Sequence, residues 1–122
     1  MDLKTIAETL VAACRAHRES DLLDTIYAAD AVSVEAVAPP GGDAVTVGLD
    51  GIRAKHAWWN ENVDVHSSSV EGPFTHGDDR FAVIFEVDST MKDSGTRSTF
   101  REVAVYTVKD GKIVREQFFY SV

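Results

Sequence analysis

The feature that most constrains this chain is its closing stretch, Thr99 to Val122, where two runs rich in β-branched and aromatic residues flank an Asp110-Gly111 step. Such a step between alternating apolar runs is the strongest short-range signal for a β-hairpin. A three-residue loop, Lys109-Asp110-Gly111, fits it, with Gly111 at the positive φ that closes a type I turn into a bulge. That register sets Val108 opposite Lys112, Ala104 opposite Glu116 and Glu102 opposite Phe118. Strand side chains alternate with a period of two. One face of the hairpin therefore carries Glu102, Ala104, Tyr106, Glu116, Phe118 and Tyr120. The other carries Arg101, Val103, Val105, Thr107, Arg115, Gln117 and Phe119. Both faces are largely apolar, so both are expected to be covered. The first also holds carboxylates and phenols, which suit the floor of a pocket better than a plain core.

The preceding chain supplies the cover. Leu3, Ile6, Leu10, Cys14 and His17 recur at helical spacing over residues 3–17, with Asp2 near the start. Ser20 reads as the cap of a second, shorter helix carrying Leu22, Leu23, Ile26 and Tyr27. Residues 31–37 and 44–48 read as strands around the loop Pro39-Pro40-Gly41-Gly42. Asp50 reads as the cap of a third helix over about 51–63, with Ile52, His56, Trp59 and Val63 on one face. The period then changes to two. Residues 65–75 form a strand broken near Gly72-Pro73, and residues 80–90 form another. In the latter, Phe81, Val83, Phe85 and Val87 share one face, and Ala82, Ile84, Glu86 and Asp88 share the other. The order is two helices, two strands, a helix, then four antiparallel strands. Helices segregated to one side of an antiparallel sheet make an α+β layer fold. Here a curved sheet would wrap around the helices as a cone, in one domain spanning residues 1–122.

Composition narrows the partners. The formal net charge is -8 and no basic run interrupts the chain, so nucleic acid and anionic membrane are poor partners. The single cysteine, Cys14, cannot form an internal disulfide and falls on the apolar face of the first helix, as a buried thiol would. No Cys/His cluster has zinc-site spacing, and no metal or other cofactor is expected. The start, Met-Asp-Leu-Lys-Thr, lacks the basic lead and apolar core of a signal peptide, and no apolar run reaches membrane-spanning length. A cytoplasmic setting is the expectation.

Several segments together resemble the SnoaL-like and ketosteroid-isomerase-like proteins of the nuclear transport factor 2-like superfamily. They are Ile26-Tyr27-Ala28-Ala29-Asp30-Ala31-Val32, Gly48-Leu49-Asp50-Gly51-Ile52, Val108-Lys109-Asp110-Gly111-Lys112-Ile113 and the closing Phe118-Phe119-Tyr120. The resemblance spans nearly the whole chain. It implies a conical α+β barrel, commonly a homodimer through the sheet, with an apolar pocket between sheet and helices. It does not fix a function, because the superfamily includes isomerases, polyketide cyclases, epoxide hydrolases, dehydratases and non-catalytic binding domains.

Four residues are candidates for acid/base work. Glu35 occupies the place where the isomerase branch carries its catalytic carboxylate, shortly after the Tyr-Ala-Ala-Asp segment. A carboxylate in an apolar wall has its pKa raised towards the working pH. Glu102 and Glu116 are diagonal neighbours on the hairpin register above, and two carboxylates in one pocket do not both ionise cheaply. Pairing with Arg97, Arg101 or Arg115 at a rim is the structural alternative. His56 shares a helix face with Ile52 and Trp59, as a pocket acid/base or as an ordinary buried imidazole. The expected pocket lining is Trp59, Ile84, Glu86, Tyr106, Phe118 and Tyr120. The isomerase branch also implies a tyrosine near Val11 and a strand acid at or beside Ala104, and this chain has neither. Two functions follow as expectations. One is cofactor-free isomerisation, cyclisation or dehydration of a small apolar carbonyl compound. The other is a non-catalytic ligand-binding or dimerisation module.

Overall fold

The computed structural model describes residues 1–121. The chain begins with α1 (Leu3–Arg15), a single 3₁₀ turn (Glu19–Leu22) and the one-turn α2 (Leu23–Ile26). Strands β1 (Tyr27–Val34) and β2 (Val45–Val47) follow, then α3 (Leu49–Asn62). Four long strands close it: β3 (Val63–His76), β4 (Arg80–Met91), β5 (Arg97–Lys109) and β6 (Lys112–Phe119). They form one curved, unclosed sheet in the order β2-β1-β6-β5-β4-β3, with β1 parallel to β6 and every other pair antiparallel. This is the expected α+β cone.

Helix α1 starts where Asp2 Oδ1 accepts the Thr5 amide at 2.8 Å, which satisfies one of the donors that a helix start leaves unpaired. Its Ile6, Ala7, Leu10, Val11 and Cys14 are buried against the inner face of the sheet. There they meet Phe81 and Val83 of β4 and Ala104 and Tyr106 of β5. The helix stops two residues short of the expected end, because the chain turns at His17 with φ 57. Ser20 caps nothing; its hydroxyl bonds the His56 ring instead, and the second helix shrinks to a 3₁₀ turn plus one α turn. Helix α3 is entered through Gly48 at φ 91 rather than capped by Asp50, which lies in the first turn and pairs with Arg53 at 3.7 Å. Strand β1 begins at Tyr27, not 31, because Tyr27 already pairs with Ile113 of β6, and it ends at Val34.

The closing hairpin differs from expectation in a way that moves the site. Asp110 and Gly111 have φ 52 and 74, so they form a two-residue type I′ turn with Lys109 paired to Lys112. The bulge sits in the strand instead: Val108 pairs with Ile113 and Thr107 with Arg115, leaving Val114 as the extra residue. The two changes add to a two-residue shift. Tyr106, not Ala104, lies opposite Glu116, and Ala104, not Glu102, lies opposite Phe118. The face assignment survives because the shift is even.

Gly111→Val would force a β-branched residue to positive φ with its Cβ about 3.3 Å from the Met1 carbonyl. The expected cost is on the order of 1–3 kcal/mol, read as a lowered melting temperature. An unchanged melting temperature would contradict the turn.

Candidate functional site

The inner face of the sheet is built in rows. Ser33 pairs with Glu116, Glu116 with Tyr106, and Tyr106 with Phe81, so one row crosses four strands. The Tyr106 and Phe81 rings stack at 4.8 Å between centroids. Ser33 and Glu116 are only 1% and 4% exposed, polar groups in the floor of the core. The next row runs Phe118, Ala104, Val83, and the one beyond begins with Glu102 opposite Phe85.

Helix α3 lays a cation over this floor. Ile52 anchors the helix at 1% exposure, and Lys55 follows one turn later on the same side. Its Nζ donates to Ser33 Oγ at 2.7 Å and lies 2.6 Å from Glu35 Oε1. It also sits 5.4 Å from the centre of the Phe118 ring. The other Glu35 oxygen accepts the Tyr120 hydroxyl at 3.1 Å. Glu35 stands one residue past β1, held there by its amide donating to Ala44. Ser33, Glu35, Lys55 and Tyr120 thus form one connected polar wall against the aromatic Phe118.

Two further carboxyls face the same interior. Burial pushes Glu102 up to about 7, the Glu35 charge adds to the shift and Lys55 opposes it. Burial also pushes Glu116 up to about 7, with Lys55 and the Tyr27 phenol pulling the other way. Each group is therefore divided between acid and base near neutral pH. A raised carboxyl favours the fold while protonated, so stability is full below about 4.5 and falls as the pH rises through about 7. Burial lowers His56, which stays a neutral imidazole with Nδ1 2.6 Å from Ser20 Oγ. Burial pushes the Cys14 thiol up to about 12, which makes it inert as a nucleophile.

Of the ten residues singled out from the sequence, most converge here. Glu35, Tyr120 and Phe118 share the Lys55 environment, and Glu102, Glu116 and Tyr106 share the inner face. Tyr106 is core at 3% exposure. Trp59 packs edge-on against Phe100 at 5.9 Å. Ile84 and Glu86 do not belong. Phe85 is the residue opposite Glu102, so its neighbours point to the outer face, where Glu86 pairs with Arg101 at 3.1 Å. Glu102 and Glu116 are not diagonal neighbours either. The two-residue shift puts roughly 13 Å of strand between them, at about 3.3 Å per residue. The arginines considered for them are engaged elsewhere: Arg97 with Asp88, Arg101 with Glu71 and Glu86, Arg115 with Gln117. The sequence reading missed Lys55 and Ser33. Lys55 was detectable as a lysine three residues after Ile52, on the helix face that meets the sheet, and Ser33 by its alternation with Ala31 and Glu35.

Among the described residues no group of three His, Cys, Asp or Glu side chains could hold a metal ion, and no helix is long and apolar enough to cross a membrane. An open groove of about 700 Å3 lies at the far end of the sheet, between the start of α1 and the Asp110-Gly111 turn; none of the carboxyls above lines it.

The comparisons with known proteins agree with the fold. No curated protein matches the sequence. A solved structure from Mesorhizobium loti, described by inference as a SnoaL-like polyketide cyclase, is 40% identical with a TM-score of 0.90, covering 98% of this chain and 100% of that one. A nuclear transport factor 2-like protein from Burkholderia thailandensis is 20% identical with a TM-score of 0.83, covering 99% of this chain and 92% of that one. A protein with a cystatin-like fold from Xanthomonas campestris is 16% identical with a TM-score of 0.75, over 100% and 92% of the two chains. These last two show the shared fold alone. The family model of the SnoaL-like domain matches residues 1–120, and the chain belongs to the SnoaL-like family.

Proposed function

We propose that this chain is a cofactor-free acid/base catalyst that isomerises, cyclises or dehydrates a small apolar carbonyl compound, with Glu102 as the proton carrier. The observation that carries this reading is a half-buried carboxyl poised near 7 on the same apolar face as a lysine held in a polar wall. Ionised Glu102 takes a proton from the carbon beside the carbonyl, and negative charge develops on the carbonyl oxygen. Lys55 has three N–H donors, of which Ser33 and Glu35 use two. The third is left for that oxygen, whose charge it stabilises as the transition state forms. Protonated Glu102 then returns the proton at a second carbon, which completes an isomerisation; attack of the same enolate on a second carbonyl would close a ring. Glu35 is engaged at both oxygens, so it orients Lys55 rather than serving as the base.

A second reading has its own observation. Val11 and Ala104, where the isomerase branch would carry hydroxyl and acid donors, are buried apolar core at 2% and 0% exposure. A binding module would need no such donors. A reducing, cytoplasmic setting suits the single buried thiol under either reading.

The proposal extends to assembly. The outer face of the sheet carries Val32, Val34, Val45 and Val47 in two facing pairs, with Phe119 beside Val103. Val47 is 67% exposed and Phe119 50%. The helices lie on the inner face and leave this one uncovered. Exposed apolar residues of this kind, with Arg115 and Gln117 among them, are what a two-fold partner would bury.

Two outcomes are expected. In deuterated buffer, the protein should exchange the α-protons of members of a panel of small cyclic ketones, as followed by proton NMR. The rate should climb with pH through about 7 and level off above it, because only ionised Glu102 is a base. Glu102→Gln should slow it by about 10²- to 10⁴-fold. No exchange by the unmodified protein, or full exchange by Glu102→Gln, would reject the catalytic reading in favour of the binding module. Sedimentation should give a dimer at micromolar concentration, and a monomer there would reject the sheet interface.

A further inference from the structure

The interior is closed at one end and open at the other. Along the inner face of β5, Tyr106 and Ala104 are 3% and 0% exposed, whereas Glu102 and Phe100 are only partly buried. The deep end is filled, because the Tyr106 ring stacks on the buried Phe81. Helix α3 spans the open part. Its one buried residue is Ile52, in the first turn. Beyond it the helix meets the inner face at two aromatic contacts. Lys55 Nζ lies 5.4 Å from the centre of the Phe118 ring, and one turn later Trp59 packs edge-on to Phe100 at 5.9 Å and 88°. Lys55 and Trp59 are four residues apart and share a helix face, about 6 Å along the axis. Their partners are further apart. Phe118 pairs with Ala104, and Phe100 lies four residues from Ala104 on the same face of β5, roughly 13 Å of strand. Glu102 stands midway between the two contacts, opposite Phe85.

We infer that Trp59 and Phe100 set the size limit of the substrate and restrict it to a ketone with a single small ring. The inference deepens the reading above and rests on it for the placement of the reacting atoms. With the carbonyl oxygen at Lys55 and the neighbouring carbon at Glu102, the rest of the molecule has one direction in which to extend. Phe118 and Lys55 stand on one side, and the packed row of Tyr106 and Phe81 lies beyond Ala104. The remaining direction runs along β5 towards Phe100. That residue is two positions past Glu102, about 7 Å of strand, which leaves room for one small ring. A second fused ring would meet the Trp59–Phe100 contact. An apolar pocket discriminates a single methylene by about 10- to 200-fold, and a fused ring adds several.

The test compares cyclohexanone with decalone, the same ketone carrying a second fused ring. Binding is followed by calorimetry and α-proton exchange by proton NMR, in the unmodified protein and in Trp59→Ala and Phe100→Ala. Both side chains are only partly buried, so truncating either leaves the packed core in place. The unmodified protein should bind cyclohexanone about tenfold or more tightly than decalone. Each variant should lose most of that preference, through tighter binding of decalone. Equal binding of the two ketones by the unmodified protein, no binding of either, or survival of the preference in either variant would overturn the inference. Because binding is read apart from turnover, a preference that is present and is lost in the variants, with no α-proton exchange, would overturn the catalytic reading alone.

Discussion

The site depends on one cation placed among carboxyls. Lys55 Nζ is 2.6 Å from Glu35 and 2.7 Å from Ser33, and its charge opposes the raised pKa of both Glu102 and Glu116. Without it, burial would hold Glu102 and Glu116 protonated more strongly, with nothing opposing it. With it, Glu35 has an ionic partner and Glu102 and Glu116 are balanced near neutrality. A half-buried ion pair of this kind is weak evidence for stability, because desolvation offsets much of the attraction. Its role here is to set the protonation state of its neighbours and to orient a donor.

The fold supplies the balance through two independent elements. The sheet fixes Ser33, Glu116 and Glu102 by backbone pairing, and α3 fixes Lys55 by burying Ile52. Elements that pack as rigid units hold such a constellation more tightly than loops do. Glu35 is the exception, just beyond the end of β1, and it is tied by its amide to Ala44 and by its side chain to Lys55 and Tyr120.

Much of this was legible in the sequence. The period-two alternation of residues 80–120 fixes which side chains share a face, and the strand pairing keeps Glu102, Glu116 and Phe118 on one face. Alternation could not fix the register. A two-residue type I′ turn plus a bulge at Val114 and a three-residue loop are both compatible with Lys-Asp-Gly, and they differ by two residues along the strand. That difference separates Glu102 from Glu116. Alternation also leaves open which face of β4 turns inward. Ile84 and Glu86 were expected inside, and pairing of Phe85 with Glu102 turns them outward. Lys55 was passed over because a lysine on a helix ordinarily points to solvent. Its partner lies 20 residues earlier in the chain, across a loop whose path local patterns do not reveal.

The most direct test of this account is carboxyl-carbon NMR titration of Glu102 and Glu116 in the unmodified protein and in Lys55→Met. Both should titrate near 7 in the unmodified protein and higher in the variant, because the opposing cation is gone while burial persists. Midpoints between about 4 and 5 in both proteins, the ordinary range of a solvated glutamate, would contradict it.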